Sequence, residues 1–149
     1  MITSIMPGLV HGSCVDFDGK SILAVGPSGS GKSALALNLI ALGGVLVSDD
    51  QLILSVCTDT VSVSPPDSIV GKVEARTVGI LKCPYVTRSQ LNLVVDLTTK
   101  PQHRLPRYHS VKIGPHDVEI IAGQGVANLP IVSKLLNLHG RDQITGSRT

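Results

Sequence analysis

Aromatic side chains are almost missing from this 149-residue chain: they make up 2% of it, with no tryptophan. Binding of single-stranded nucleic acid relies on aromatic stacking platforms, so this composition argues against that class. It also leaves Leu, Val, Ile and Ala to build the core. Charge is sparse as well, at 16% of residues and a formal net charge of +2. So small an excess does not draw a nucleic acid or a membrane surface by itself. Cys14, Cys57 and Cys83 are an odd set without CxxC spacing, which points to free thiols in a reducing compartment rather than a disulfide framework or a zinc site. No long apolar run exists either. The longest stretch free of charge, 33–48, is broken by Gly43-Gly44 and falls short of a bilayer span. The opening "MITSIMPGLVHG" has no basic head and no apolar run of signal-peptide length. The expectation is a cytoplasmic protein with neither a membrane nor a nucleic-acid partner.

What is present is a folding chain. Hydrophobic residues make up 42%, and the length suits one domain with a core of its own. Residues 1–140 are read as that domain and the polar 141–149 as a frayed tail. Residues 8–17 alternate as a strand, Asp18-Gly19 marks a hairpin turn, and "KSILAVG" is a buried strand. A helix is expected over Ser33–Leu42, stopped at Gly43. Further strands are expected in "VLVSDD", "QLILSV", "TVSVS", "KVEARTVGIL", "LNLVVDL" and "HDVEIIAG". Residues 100–110 read as a loop, and "LPIVSKLLNLHG" as a closing helix. Strand–loop–helix–strand occurs once, and the remainder reads as antiparallel or mixed sheet. The fold class is therefore α/β, with one P-loop unit in a β-rich mixed sheet.

The first helix is apolar around nearly its whole circumference, Asn38 excepted, and such a helix is buried on all sides. Its far face is expected to meet a second layer of this chain or another subunit. The subunit is the favoured reading, which makes the protein a homo-oligomer.

"GPSGSGKS" fits GxxxxGK[ST] in full. In that motif the backbone N–H groups of Gly26, Pro27, Ser28, Gly29, Ser30 and Gly31, wherever an N–H exists, surround a β-phosphate at a helix N-terminus. Lys32 can reach the β- and γ-phosphates, and the Ser33 hydroxyl can ligate Mg²⁺. Asp49 and Asp50 follow at the end of the next strand. One acid there supports Mg²⁺, and a second can serve as general base toward a hydroxyl. A solvated turn is the plainer alternative, and Asp96, ending "LVVD", competes for the metal-supporting role. Glu74 and Arg76 could be a surface ion pair on one strand face. The basic residues His103, Arg104, Arg107, His109 and Lys112 could be a solvated loop or a positive wall for phosphoryl transfer.

Taken together, "VHG", "GPSGSGKS", "LVSDD" and "GKVEARTVGIL" resemble the catalytic domain of bacterial HPr kinase/phosphorylase over about residues 5–110. The likeness also implies kinship with phosphoenolpyruvate carboxykinases, in keeping with a β-rich frame. It implies ATP and Mg²⁺ as cofactors and an HPr-like phosphocarrier as partner. By the same resemblance His11 is the active-site histidine, Lys32 the P-loop lysine and Ser33 a Mg²⁺ ligand. Asp50 takes the seryl proton, Glu74 is the second metal-site carboxylate with Asp49 beside it, and Arg104 is the catalytic arginine, with Arg107 as competitor. The chain resembles the short form without an N-terminal regulatory domain. "AGQGVANLPIVSKLLNLHG" does not reproduce the family's proline- and arginine-rich segment, so the kinase direction is implied and the phosphorylase direction is not. A small-molecule kinase, a generic P-loop NTPase and a nucleotide-binding regulatory protein remain alternatives.

Overall fold

Two kinks shape the sheet. The structure, a computed structural model, describes residues 1–104 and 107–142. The strand expected over 8–17 is divided at Gly12 into β1 (Gly8–His11) and β2 (Ser13–Phe17). Likewise "VLVSDD" stops early: β4 (Val45–Ser48) ends before the aspartates and β5 (Gln51–Val56) begins after them. β1 pairs antiparallel with β5, and β2 with β4. His11 faces Gln51 on one side of the break and Cys14 faces Ser48 on the other, so both halves keep one register. Gly12 lets the bend pack closely, since a Cβ there would lie 2.7 Å from Leu23 Cδ1 and 2.9 Å from the Ala24 carbonyl oxygen. Across from it Asp50 adopts φ 69°, a left-handed conformation that aspartate tolerates better than most residues.

The Asp18-Gly19 turn, with φ of 52° and 90°, connects β2 to β3 (Lys20–Val25), as expected. The glycine-rich loop follows, then α1 (Lys32–Ala41). The helix is closed by Gly43 at φ 102°, whose N–H donates to the Ile40 carbonyl, while the Gly44 N–H donates to that of Leu39. β2 is antiparallel to both β3 and β4. The β3–α1–β4 unit is therefore a parallel crossover with β2 between its strands, and the C-terminal ends of β3 and β4 lie at one edge. β9 (Ser89–Asp96) runs parallel to β3 and ends there too, with Val25 facing Asp96.

The other side of β9 is shared. β6 (Val61–Ser64) pairs antiparallel with its start, and β11 (His116–Ala122) pairs parallel with its second half. β10 (Ser110–Ile113), a strand not expected from the sequence, pairs with β11 beyond the turn at Gly114. "KVEARTVGIL" is not one strand but a hairpin of β7 (Lys72–Ala75) and β8 (Gly79–Lys82). Its turn carries Thr77 at φ 68°, and β-favouring residues on both sides hide that turn in the sequence. A short 3₁₀ turn over Asp67–Ile69 precedes it.

The closing helix, α2 (Leu129–His139), ends at Gly140 as expected. It packs on α1, β3 and β9. At Asn92 the register of β9 against β3 slips by one residue. The Asn92 amide donates to the Asn137 carbonyl and side-chain oxygens at 3.0 and 2.9 Å, and Asn137 Nδ2 donates to the Lys20 carbonyl at 3.2 Å. The buried Asn137 and the half-buried Asn92 thus pin α2 to the sheet. The core divides across the sheet because strand side chains alternate. Leu23 and Val25 join one cluster with Val47 and Leu52, while Ile22 and Ala24 pack with Leu35, Ala36 and Leu39 of α1. α2 and β7 cover further parts of α1. The second layer over that helix therefore comes from this chain, and the favoured reading of a subunit there is not needed to cover it. Arg141, assigned to the tail, donates to Glu119 from both Nε and Nη2. Residues 143–149 of that tail lie outside the described residues.

Candidate active site

The strand–helix crossover brings three chain segments to one sheet edge. Gly26, Gly29 and Gly31 have φ of 153°, 84° and 100°, conformations open to glycine and costly for other residues. The loop can thereby turn its N–H groups inward ahead of α1, forming an anion-binding concavity. Lys32 opens the helix, is 8% exposed, and donates from Nζ to the Gly26 carbonyl at 2.6 Å and that of Pro27 at 3.0 Å. An ammonium carries three N–H donors, so a third is left for a phosphate oxygen.

A cavity of about 260 Å³ lies against the loop. Residues of the loop and of α1 (Ser28, Gly29, Gly31, Lys32, Ser33, Ala34 and Leu37) line it together with Asp50, Glu74 and Arg76. The two adjacent aspartates behave differently. Asp49 is 6% exposed. Its Oδ1 accepts the hydroxyls of Ser33 at 2.8 Å and Ser13 at 2.6 Å, and its Oδ2 accepts the Glu74 N–H at 2.9 Å. Two hydroxyls and one backbone N–H thus converge on this carboxylate. Asp50 is exposed and lines the cavity.

The oxygens of Ser33, Asp49 and Glu74 are hard donors suited to Mg²⁺, which is bound through one or two carboxylates together with substrate phosphates. Among the described residues no group of three or more His, Cys, Asp or Glu could hold a metal alone.

Other expected residues stand elsewhere. His11 is exposed at the end of β1 and is not among the residues lining the cavity. Its neighbour Gly12 donates its N–H to the Asp50 carbonyl at 3.0 Å. Arg104 and Arg107 are exposed on either side of residues 105 and 106, and neither lines the cavity. Asp96 lies at the sheet edge beside Val25, but its oxygens accept the Thr98 N–H and hydroxyl and the Thr99 hydroxyl. Burial pushes its carboxyl up, yet these bonds, with one from the Ile2 backbone, hold it below the usual carboxylate range. Glu74 and Arg76 do not share a strand, since β7 ends at Ala75. The described residues show no ion pair between them.

Two residues at the site, Arg76 and Ser13, were not among the expected site residues. Arg76 lines the cavity because the chain turns just there, and only its spacing from Glu74 hinted at this. Ser13 carried no motif signal. Its role is legible only once "SC" is set against "SDD" in antiparallel register.

The HPr Serine kinase C-terminal domain family model matches residues 6–124. The HPr kinase/phosphorylase of Lachnoclostridium phytofermentans is 35% identical over 129 residues, covering 82% of this chain and 42% of that protein. Its counterpart in Caldicellulosiruptor bescii is 33% identical over 121 residues, covering 74% of this chain and 38% of that protein. The chain thus spans less than half the length of these two curated relatives. The solved HPr(Ser) kinase/phosphatase from Coxiella burnetii superimposes with a TM-score of 0.75 at 25% identity, covering 86% of this chain and 92% of that one. A glycine-rich loop bonded to a buried aspartate, a relative 35% identical over 82% of the chain and a matching family model over most of it lead to one assignment: this chain belongs to the HPr serine kinase C-terminal domain family.

Proposed function

We propose that this chain transfers the γ-phosphoryl group of ATP to a serine hydroxyl on an HPr-like phosphocarrier protein of the phosphotransferase system. The observation that carries the reading is one cavity lined by Lys32, Ser33 and the exposed Asp50. ATP lies with its phosphates along Gly26–Ser33. The seryl oxygen attacks the γ-phosphorus, the bond to the ADP oxygen breaks, and Asp50 accepts the seryl proton. Lys32 holds the phosphate oxygens, and Arg76, which also lines the cavity, supplies positive charge, with Arg104 the candidate that the family resemblance favours. Ser33 and Glu74 would hold Mg²⁺, with Asp49 orienting Ser33. The ion, when bound, neutralises charge developing on the β- and γ-oxygens. His11, which the family resemblance favours as the active-site histidine, directly precedes Gly12, whose N–H donates to the Asp50 carbonyl.

The protein works in the cytoplasm in this reading. All three cysteines are free thiols, and no helix among the described residues is long and apolar enough to cross a membrane. Exposed Ile131, Val132 and Leu135 on α2, and Val78 and Ile80 on the β7–β8 hairpin, support a homo-oligomer.

The test is incubation with labelled ATP, Mg²⁺ and HPr. Acid-stable phosphoserine on HPr is the expected product. Label released without acceptor points to a generic NTPase, label on a metabolite to a small-molecule kinase, and binding without turnover to a regulatory protein.

A further inference from the structure

Between β1–β2 and β4–β5 the ladder is interrupted for two positions, and one hydroxyl spans the gap. Ser13 is 2% exposed and stands opposite Asp49 in the register that His11–Gln51 and Cys14–Ser48 define. Its Oγ donates to Asp49 Oδ1 at 2.6 Å and accepts the Asp50 backbone N–H at 3.3 Å. A hydroxyl has one proton to give, and here it is committed to Asp49. The first bond aims the carboxylate whose same oxygen receives the Ser33 hydroxyl. The second helps hold Asp50 at φ 69°, as does the bond from the Gly12 N–H to the Asp50 carbonyl.

We propose that Ser13 is a positioning residue that divides the aspartate pair into two jobs. It locks Asp49 onto Ser33 at the metal side and fixes the turn that presents Asp50 to the cavity. Without it, Asp49 Oδ1 keeps a single hydroxyl donor, and its aim at Ser33 rests on that bond and on the Glu74 N–H at Oδ2 alone. The proposal rests on the metal-site reading of Ser33 given above. Residues hydrogen-bonded behind a metal ligand set its orientation, and their loss costs about 10- to 100-fold in metal affinity.

The test is binding of a fluorescent ADP analogue to the whole chain, titrated with Mg²⁺ and repeated in EDTA, for wild type, Ser13→Ala and Ser13→Thr. Ser13→Ala should need about tenfold more Mg²⁺ for half-saturation, with affinity in EDTA unchanged. Threonine retains the hydroxyl, and it faces the small Ala24 on β3, so Ser13→Thr should restore the Mg²⁺ dependence. If Ser13→Ala does not fold by thermal melting, Ser13→Cys, with its weaker donor, should show a graded loss. The inference is overturned if the alanine variant titrates like wild type, if binding falls equally in EDTA and in Mg²⁺, or if threonine fails to rescue. No acceptor protein is involved. A wild type that binds Mg²⁺-linked ADP but never labels HPr therefore refutes the kinase reading alone, and one whose ADP binding ignores Mg²⁺ refutes both.

Discussion

The Ser33 hydroxyl donates to Asp49 Oδ1 across 2.8 Å, so the last residue of the phosphate loop is tied to the far strand of its own crossover. The bond joins α1 to the end of β4 and leaves the next residue, Asp50, in the cavity wall. Two adjacent carboxylates are then not redundant. One is buried among donors and the other meets the space where an acceptor hydroxyl would enter.

Asp50→Asn should therefore separate chemistry from binding. Asparagine matches aspartate in shape and also tolerates a left-handed backbone, so the φ of 69° is kept while the base is lost. Phosphoryl transfer to HPr should fall about a hundredfold or more, with ATP affinity within about twofold of wild type. Single-turnover kinetics with a parallel binding titration reads both. Binding lost in step with turnover would remove Asp50 from the base role.

The arginine question has a direct comparison. Arg76 lines the cavity, and Arg104 does not. Charge aimed at the transferring group is worth about 10²- to 10³-fold in turnover at preorganised sites. Arg76→Gln should thus lower kcat by about that factor, with KM for ATP changed far less, and Arg104→Gln should be the milder variant. The opposite ranking would favour an arginine delivered by the 100–109 connection when substrates bind.

Packing behind the loop offers a stability test. A Cβ on Gly44 would collide with Val15 Cγ1 and lie 2.9 Å from both the Leu39 carbonyl oxygen and Phe17 Cζ. Backbone cannot yield as a flexible side chain does, so Gly44→Ala should destabilise by about 1–3 kcal/mol. The urea midpoint should fall with an unchanged slope. Gly43 is a different case. Nothing crowds it, and its φ of 102° alone makes a side chain costly.

Cys14 gives a pH prediction. Burial pushes its thiol up from 9.0 to about 12. The native state then keeps a proton that the unfolded chain releases near pH 9, so this residue's stabilising contribution is complete below that pH. It declines as pH rises toward about 12. Cys14→Ala should flatten the alkaline fall of stability relative to wild type. In native protein near pH 8 a thiol reagent should modify the partly exposed Cys57 first and leave Cys14 untouched until unfolding.

Much of this was legible in the chain. The phosphate loop, the helix after it and the strand before it follow from local chemistry: glycine where positive φ is needed, then an apolar run at helical spacing. α2 and its glycine stop were equally readable. The failures have a common cause. "GLVHGSCVDF" and "KVEARTVGIL" each read as one strand, because β propensity is the same on both sides of a kink. Gly12 and Thr77 break them only because each must turn against a neighbouring segment, and "VLVSDD" ends two residues early at Ser48. β10 went unseen because its four residues become a strand only by pairing with β11.

The sequence by itself determined that a glycine-rich loop sits between a buried strand and an apolar helix, since those features depend on residues within a few positions of one another. Tertiary structure alone decided which carboxylate is buried and which is exposed, that Ser13 meets Asp49, and that Arg76 rather than Arg104 lines the cavity. Those outcomes depend on strand register and on where a hairpin folds over α1. Such contacts join residues tens of positions apart, and no local pattern encodes them.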